Sequence, residues 1–279
     1  MPGSDVTGPA VVPLLDRGTT YDEIPGQSVA FGPYRLTVWP TCGEAVAQYS
    51  PDRERSLGED SSADWDNLGR SVRRSRGAIR RYGVHNRLAY MPTLTFRHAP
   101  ESVRGVDLAM RLFIRRLRYV VGDQPWLWVP ERGAKGRLHV HFANGWWEEA
   151  GAVEVCERCA SPSLVKVRSD VPPAGSFCIG CLWGHGWVGR PSEGVGDSRA
   201  VAAYVSKYVG KELVGLVAPG ASRYRVARGH QPQSVRGRVG SLREAVGVLG
   251  LVSGSKGVLV PLHDVVEGWE GPPTWSVTW

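Results

Sequence analysis

Two short stretches of this 279-residue chain bring together side chains that can do chemistry. Gly136-Arg137-Leu138-His139-Val140-His141-Phe142 places two imidazoles two residues apart. Successive strand residues point to opposite faces, so on a strand His139 and His141 share one face. Leu138, Val140 and Phe142 then share the other and can cover a core. Ala203-Tyr204-Val205-Ser206-Lys207-Tyr208-Val209-Gly210-Lys211 carries two phenols and two ammonium groups. On a helix, at about 100° per residue, Tyr204, Lys207, Tyr208 and Lys211 fall within an arc of about 100°. Ala202, Val205, Val209 and Leu213 fall on a separate arc that can pack. Lysines interleaved with the tyrosines argue against a plain core stripe, which would bury ammonium groups. A phenol, with a pKa of ~10, is a poor nucleophile until a neighbouring Lys⁺ favours its phenolate. A divalent cation on imidazole ligands can polarise a phosphodiester from the other side. The two stretches together are therefore equipped to cut a nucleic-acid strand and stay attached to it.

The surrounding sequence supplies elements to position these groups. Residues 126–131 read as a strand, 132–136 as a turn and 137–143 as the returning strand. If the turn pairs residue 131 with 137, Glu131 lies on the histidine face, diagonal to His139. Two imidazoles and one carboxylate suit Mn²⁺ or Mg²⁺ with open positions for substrate. Residues 91–96 read as another strand. Over residues 105–121 the spacing predicts a helix with Val106, Met110, Phe113, Ile114, Leu117, Val120 and Val121 on one arc, facing a sheet. Arg111, Arg115 and Arg118 fall on another arc, facing water or DNA. Residues 62–82 read as a helix carrying Arg70, Arg73, Arg74, Arg76, Arg80 and Arg81. So dense a run of one sign repels itself and suits phosphate contact. A further strand is expected over residues 182–188. The tyrosine helix is expected from Asp197 to about Leu213, with Asp197 or Ser198 as its N-cap.

Cys156-x-x-Cys159 and Cys178-x-x-Cys181 are separated by 18 residues. That spacing fits a Cys₄ zinc ribbon, a closed and therefore structural site, inserted at about residues 147–182. The insert is placed to offer Lys166 and Arg168 to DNA. His185 is assigned to the neighbouring strand, and Cys42 stands outside the pattern with no role. Paired thiols of this kind indicate metal binding in a reducing compartment, not a disulfide framework. The net charge of +7 favours a polyanionic partner, and the 42% hydrophobic content allows a real core. The eleven tryptophans can pack that core or stack on bases. No signal-peptide pattern is present, and no apolar run approaches the ~18 residues of a membrane span. No Gly-x-x-x-x-Gly-Lys-Ser/Thr stretch occurs, so no helicase motor of its own is expected.

The His-hydrophobe-His strand followed by Tyr-x-x-Lys-Tyr-x-x-Lys resembles the HUH endonuclease superfamily, and within it the two-tyrosine rolling-circle replication initiators of phages and plasmids. Residues 91–97 are similar to that family's first motif, roughly hydrophobic-x-Thr-Leu-Thr-Phe, and the order of the three motifs agrees. The resemblance spans roughly residues 88–213, apart from the cysteine segment. It implies an α+β fold, an antiparallel sheet flanked by helices in the ferredoxin-like arrangement, with the zinc ribbon inserted. Three regions follow: a loosely ordered arm over 1–60 with one strand near residues 34–39, a nuclease domain over 61–215, and a C-terminal extension over 216–279. The resemblance makes His139 and His141 metal ligands, with Glu131 as the third. It makes Tyr208 the nucleophile, Tyr204 the second tyrosine, and Lys207 and Lys211 their assistants. It implies nicking of single-stranded or hairpin origin DNA in the bacterial cytoplasm, with a 5′-phosphotyrosine, a free 3′-OH and later rejoining. A host helicase and DNA polymerase would supply the rest. An HUH-type transposase and a non-enzymatic zinc-ribbon DNA-binding regulator are the alternatives. Tyr204 speaks against the first, and metal-dependent nicking separates the second.

Overall fold

Alternating and helical apolar patterns become strands and helices in the computed structural model, which describes residues 34–50, 64–145, 147–148, 156–158, 164–167, 176–189, 196–211, 224–266 and 272–279. The first elements in chain order are β1 (Tyr34–Trp39), β2 (Glu44–Tyr49), α1 (Asp64–His85), β3 (Thr93–Thr95), α2 (Val103–Val121), β4 (Trp126–Arg132) and β5 (Leu138–Asn144). Then come β6 (Trp147–Glu148), β7 (Leu164–Val167), β8 (Ser176–Cys178), α3 (Ile179–Trp183), β9 (Val188–Gly189) and α4 (Ser198–Lys211). The last are β10 (Arg225–Val226), β11 (Val235–Val239), α5 (Leu242–Ser253), β12 (Val258–Pro261), α6 (Leu262–Val265) and β13 (Thr274–Thr278). The fold is α+β, with antiparallel sheets flanked by helices. Among the described residues the strands form two five-stranded sheets and one of three strands. The chain divides into two compact units, Ser62–Gln231 and the joined segments Met1–Ser61 and Pro232–Trp279.

In the unit Ser62–Gln231 the strand order is β10-β4-β5-β3-β9, and each neighbouring pair is antiparallel. Strand alternation sorts the side chains onto two faces. Leu138, Val140 and Phe142 of β5 pack with Leu94, Phe96 and Trp128 against Val106, Met110, Phe113 and Leu117 of α2. The apolar arc expected of α2 is the one that is buried. Ser102 caps this helix by accepting from the Gly105 amide. On the other face Leu127, Val129 and Ala143 meet Ile79 and Tyr82 of α1 and Val201, Val205 and Val209 of α4. Burying each such large side chain contributes roughly 1.5–3 kcal/mol, so both faces are firmly held. The same alternation leaves His139 and His141 on the α1/α4 face.

Helices α1 and α4 meet at Gly83 and Ala202. A Cβ there would stand 2.8 Å from the Ala202 Cβ, well inside van der Waals contact. Gly83→Val is therefore expected to overpack the crossing and cost about 1–3 kcal/mol, read as a lower urea midpoint with an unchanged slope.

Residues 182–188, expected as a strand, form something different. Cys178 ends β8 and its thiol accepts from the Cys181 amide, which starts α3. Gly184, in the left-handed region at φ 66°, closes that helix. Val188–Gly189 pair with β3, and the Trp187 and His185 carbonyls accept from the Thr95 and Arg97 amides. Ile179 and Trp183 of α3 are fully buried in the α2-side core, and the Trp183 indole N–H donates to the Thr95 carbonyl at 2.8 Å.

The second unit carries the sheet β11-β1-β2-β13-β12, again antiparallel throughout. Tyr34, Leu36, Ala45 and Ala47 pack with Leu259 and Val277 against Ala245 and Leu249 of α5. From sequence the regions 1–60 and 216–279 were separate entities. The structure pairs β1 and β2 from the first with β11 and β13 from the second. Residues 34–49 are thus two central strands of a sheet, not a loosely ordered arm with one strand. Residues 1–33 and 51–60 of the arm lie outside the described residues.

Candidate active site

The β4–β5 hairpin builds the first half of the site. Its loop closes where the Gly133 amide donates to the Arg137 carbonyl and the Gly136 amide to the Gly133 carbonyl. Gly136 sits at φ 74°, a conformation that suits glycine. The five-residue loop spans 133–137, shifted by one from the expected 132–136, and the pairing is Glu131 with His139 and Arg132 with Leu138. Glu131 stands directly across from His139, and diagonal to His141, where the sequence reading placed it diagonal to His139. The shift draws the carboxylate closer to both rings.

Both Nε2 atoms, of His139 and of His141, lie 2.7 Å from the same Glu131 carboxylate oxygen, Oε2. The three ligand atoms fall within 4.8 Å of one another. His141 is almost fully buried, and the other two are about four-fifths covered. Burial pushes the Glu131 carboxyl upward, but hydrogen bonds and positive charge from His141 and then His139 outweigh it, so the group titrates below its ordinary range. Behind the ring, His141 Nδ1 lies 3.3 Å from the Thr93 hydroxyl. With Nδ1 donating there, a cation would take Nε2 in place of its hydrogen bond to Glu131, the arrangement in which outer-layer hydrogen bonds orient metal-ligating histidines. Two imidazole nitrogens and a carboxylate oxygen, converged and oriented from behind, could hold a divalent cation.

Helix α4 supplies the second half. The Asp197 carboxylate accepts from the Arg199 amide at 2.8 Å, so of the two expected caps Asp197 does the capping. Val201, Ala202, Val205 and Val209 are buried, which aims Tyr204 and Tyr208 at the histidine face. The Tyr208 ring stacks on the His141 imidazole, centroids 4.1 Å apart and planes 19° from parallel. Tyr204 stands edge-on to both, 6.4 Å from His141 and 5.2 Å from Tyr208. The Lys207 ammonium lies 5.5 Å from the Tyr204 ring centroid, within cation–π range. Lys211 is the last helical residue, and its side chain, like Leu213, lies outside the described residues. Ser206, on the packing side, is buried and donates back to the Ala203 carbonyl.

The arginines divide between the faces. Those of α1 flank the side that holds the triad, and Arg74, Arg76 and Arg80 are exposed. Arg73 and Arg81 are half-buried, and the Arg70 side chain lies outside the described residues. Arg111, Arg115 and Arg118 are exposed on α2, as the wheel required, but α2 covers the opposite face of the sheet. They are not brought to the triad, and Arg118 pairs with Asp123 at 2.7 Å.

Three of the four patterned cysteines also converge. Cys156, Cys178 and Cys181 place their sulfurs within 4.8 Å of one another, with Cys156 and Cys181 at 3.7 Å. Strands β6, β7 and β8 form the small sheet beside them. Cys159, Arg168 and the Lys166 side chain lie outside the described residues. His185 sits after α3 and not in a strand, its ring edge-on to Trp183 at 5.0 Å. Burial and the nearby Arg116 charge hold its pKa below the ordinary value.

Thr93 is the site residue that the sequence reading left without a role. The alternation that faces His139 and His141 the same way also faces Thr93 and Thr95, their partners on β3, toward them. That pairing was the available signal.

Among the described residues no helix is long and apolar enough to cross a membrane. No curated protein and no solved structure matches the chain. Residues 89–213, which contain the triad, both tyrosines and all four patterned cysteines, match the family of replication-associated protein ORF2/G2P, and the match supports a role in replication initiation.

Proposed function

We propose that this protein initiates rolling-circle replication by nicking one DNA strand through a tyrosine transesterification. The observation that carries the reading is the Tyr208 ring stacked on His141 of the Glu131–His139–His141 triad, inside the stretch similar to a replication-associated family. The phenolic oxygen of Tyr208 attacks a backbone phosphorus, and the bond to the 3′-oxygen breaks. The 5′-phosphate stays on the tyrosine, and the phenolic proton passes through solvent to the departing 3′-oxygen. A divalent cation held by Glu131, His139 and His141 would draw charge from the non-bridging oxygens. Lys207, whose ammonium lies 5.5 Å from the Tyr204 ring centroid, and Lys211, one turn later, are assigned to assist the two tyrosines. Tyr204 is assigned the second cut, after which the freed 3′-OH attacks the first linkage and closes a circle. The bond energy is held in the phosphotyrosine, so no external energy source enters. Arg70, Arg73, Arg74, Arg76, Arg80 and Arg81 guide the origin strand on the triad side. Unwinding and synthesis fall to the host helicase and polymerase.

The test is to incubate a labelled single-stranded origin oligonucleotide with the protein and Mn²⁺. A covalent protein–DNA adduct is expected; its absence across candidate origins would reject the reading and favour a binding-only regulator.

The cysteine insert is proposed to hold structural zinc, with Cys159 completing the set. One equivalent of zinc is expected to co-purify, and to remain after His139→Ala and His141→Ala. Zinc-free protein would remove the assignment.

A further inference from the structure

Thr95 joins the triad to a second cavity. Its partner across β5 is His139, and its hydroxyl donates to the Trp187 carbonyl at 2.9 Å. Beside it lies a cavity of about 560 Å³ whose wall includes Thr95, Arg97, Arg158, Cys181 and Trp187. Among the described residues, those that line it carry two guanidinium groups and no carboxylate. Adjacent strands are spaced by about 4.8 Å, so the cavity starts roughly 5–10 Å from the histidine face.

The chemistry of that wall is specific. Trp187 is 51% exposed while Trp183, four residues before it, is fully buried. A single exposed tryptophan means little by itself. Here it shares one concavity with Arg97 and Arg158, both exposed. A flat ring beside two planar cations matches a nucleobase stacked next to its phosphates. Arg158 comes from the turn that follows Cys156. The Cys156–Cys181 sulfur contact at 3.7 Å draws that turn to the helix whose Cys181 lines the cavity. The cysteine cluster thereby fixes where Arg158 stands.

We infer that Trp187, Arg97 and Arg158 form a nucleotide subsite that grips single-stranded DNA next to the phosphate placed at the triad. The choice of DNA as occupant rests on the nicking reading above. The three residues position the strand and take no part in bond exchange. The cysteine insert then has a functional reason for its place between β5 and α4: it carries one wall of the subsite.

The test is equilibrium binding of a fluorescein-labelled mixed-sequence single-stranded 12-mer to the full chain, followed by anisotropy without Mn²⁺ so that no cutting occurs. Base–aromatic stacking is worth ~1–3 kcal/mol per base, so Trp187→Ala is expected to weaken binding roughly 5- to 150-fold. Trp187→Phe keeps a ring and should retain most of the affinity. Arg97→Gln and Arg158→Gln should each lower the salt slope of log affinity by about 0.7, the value for one phosphate contact on a single strand. Tyr119→Ala, 93% exposed on α2, serves as the control and should leave binding unchanged. Wild-type affinity in Trp187→Ala, or equal losses in the Ala and Phe variants, would overturn the stacking role. Unchanged salt slopes in both arginine variants would overturn the phosphate contacts. A single-stranded RNA 12-mer bound at least as tightly as the DNA would overturn the choice of occupant. Because no step of this assay requires cutting, absence of the adduct sinks the nicking reading alone. Adduct formation with unchanged binding in every variant sinks the subsite alone.

Discussion

Tyr208→Phe is expected to abolish the first cut, lowering adduct formation by at least on the order of 10³-fold. The substitution removes one oxygen and little else. Phenylalanine keeps the ring that stacks on His141 at 4.1 Å, and α4 keeps its buried Val201, Val205 and Val209. The fold should therefore be retained, and a urea melt of the variant separates lost chemistry from lost folding. Tyr204→Phe should behave differently. It is expected to leave the first cut close to wild type and to impair release of closed circles, because the second cut proposed for Tyr204 follows a round of copying. A denaturing gel of labelled origin oligonucleotide reads the first effect, and circle yield from a two-origin template reads the second. Equal cutting by Tyr208→Phe and wild type would reverse the assignment of the two tyrosines.

His141→Ala is expected to remove Mn²⁺ binding measurable by calorimetry, and adduct formation with it. His141 is the most enclosed member of the triad and touches the other parts of the site: Glu131 Oε2, the Thr93 hydroxyl and the Tyr208 ring. The change deletes a ligand, and it also deletes the surface that orients Tyr208. A graded comparison separates these losses. Thr93→Val leaves both ring and ligand in place and removes only the oxygen behind Nδ1. Loss of such an outer hydrogen bond typically costs 10–100-fold in metal affinity or activity, so roughly that drop in Mn²⁺ affinity is expected. Wild-type Mn²⁺ affinity in His141→Ala would show that the converged triad is not the cation site.

Much of this site is legible in short periodicities. A period of two put His139 and His141 on one face, and a period of 3.6 put both tyrosines opposite a valine-rich packing arc. Each pattern is local and each survives folding. Glu131 was legible by face but not by register, because the position of the five-residue loop depends on which residue adopts the left-handed conformation, and Gly136 takes it. Thr93 was missed because its importance exists only once β3 lies beside β5. The arginines of α2 were legible as an exposed stripe. Sequence periodicity says which side of a helix is wet, but not which face of a sheet the helix covers. The strand expected over residues 182–188 lost its first two residues to α3, because Cys178 caps a helix there, and kept Val188 in β9. The pairing of β1 and β2 with β11 and β13 was invisible, since partners so far apart in sequence leave no local trace.

That last pairing has a consequence for biosynthesis. The 170 residues of Ser62–Gln231 are translated between β2 and β11. At ~5–20 residues per second the ribosome needs roughly 10–30 s for them. Throughout that interval β1 and β2 exist as a lone hairpin whose flanking partners have not been made, and a lone hairpin is marginal in water. The triad-bearing unit is complete before those partners arrive and can close first. The sheet of the second unit is therefore a late event, sealed only when β13 slots between β2 and β12, and a stalled or truncated nascent chain would carry a finished triad-bearing unit beside an unpaired hairpin.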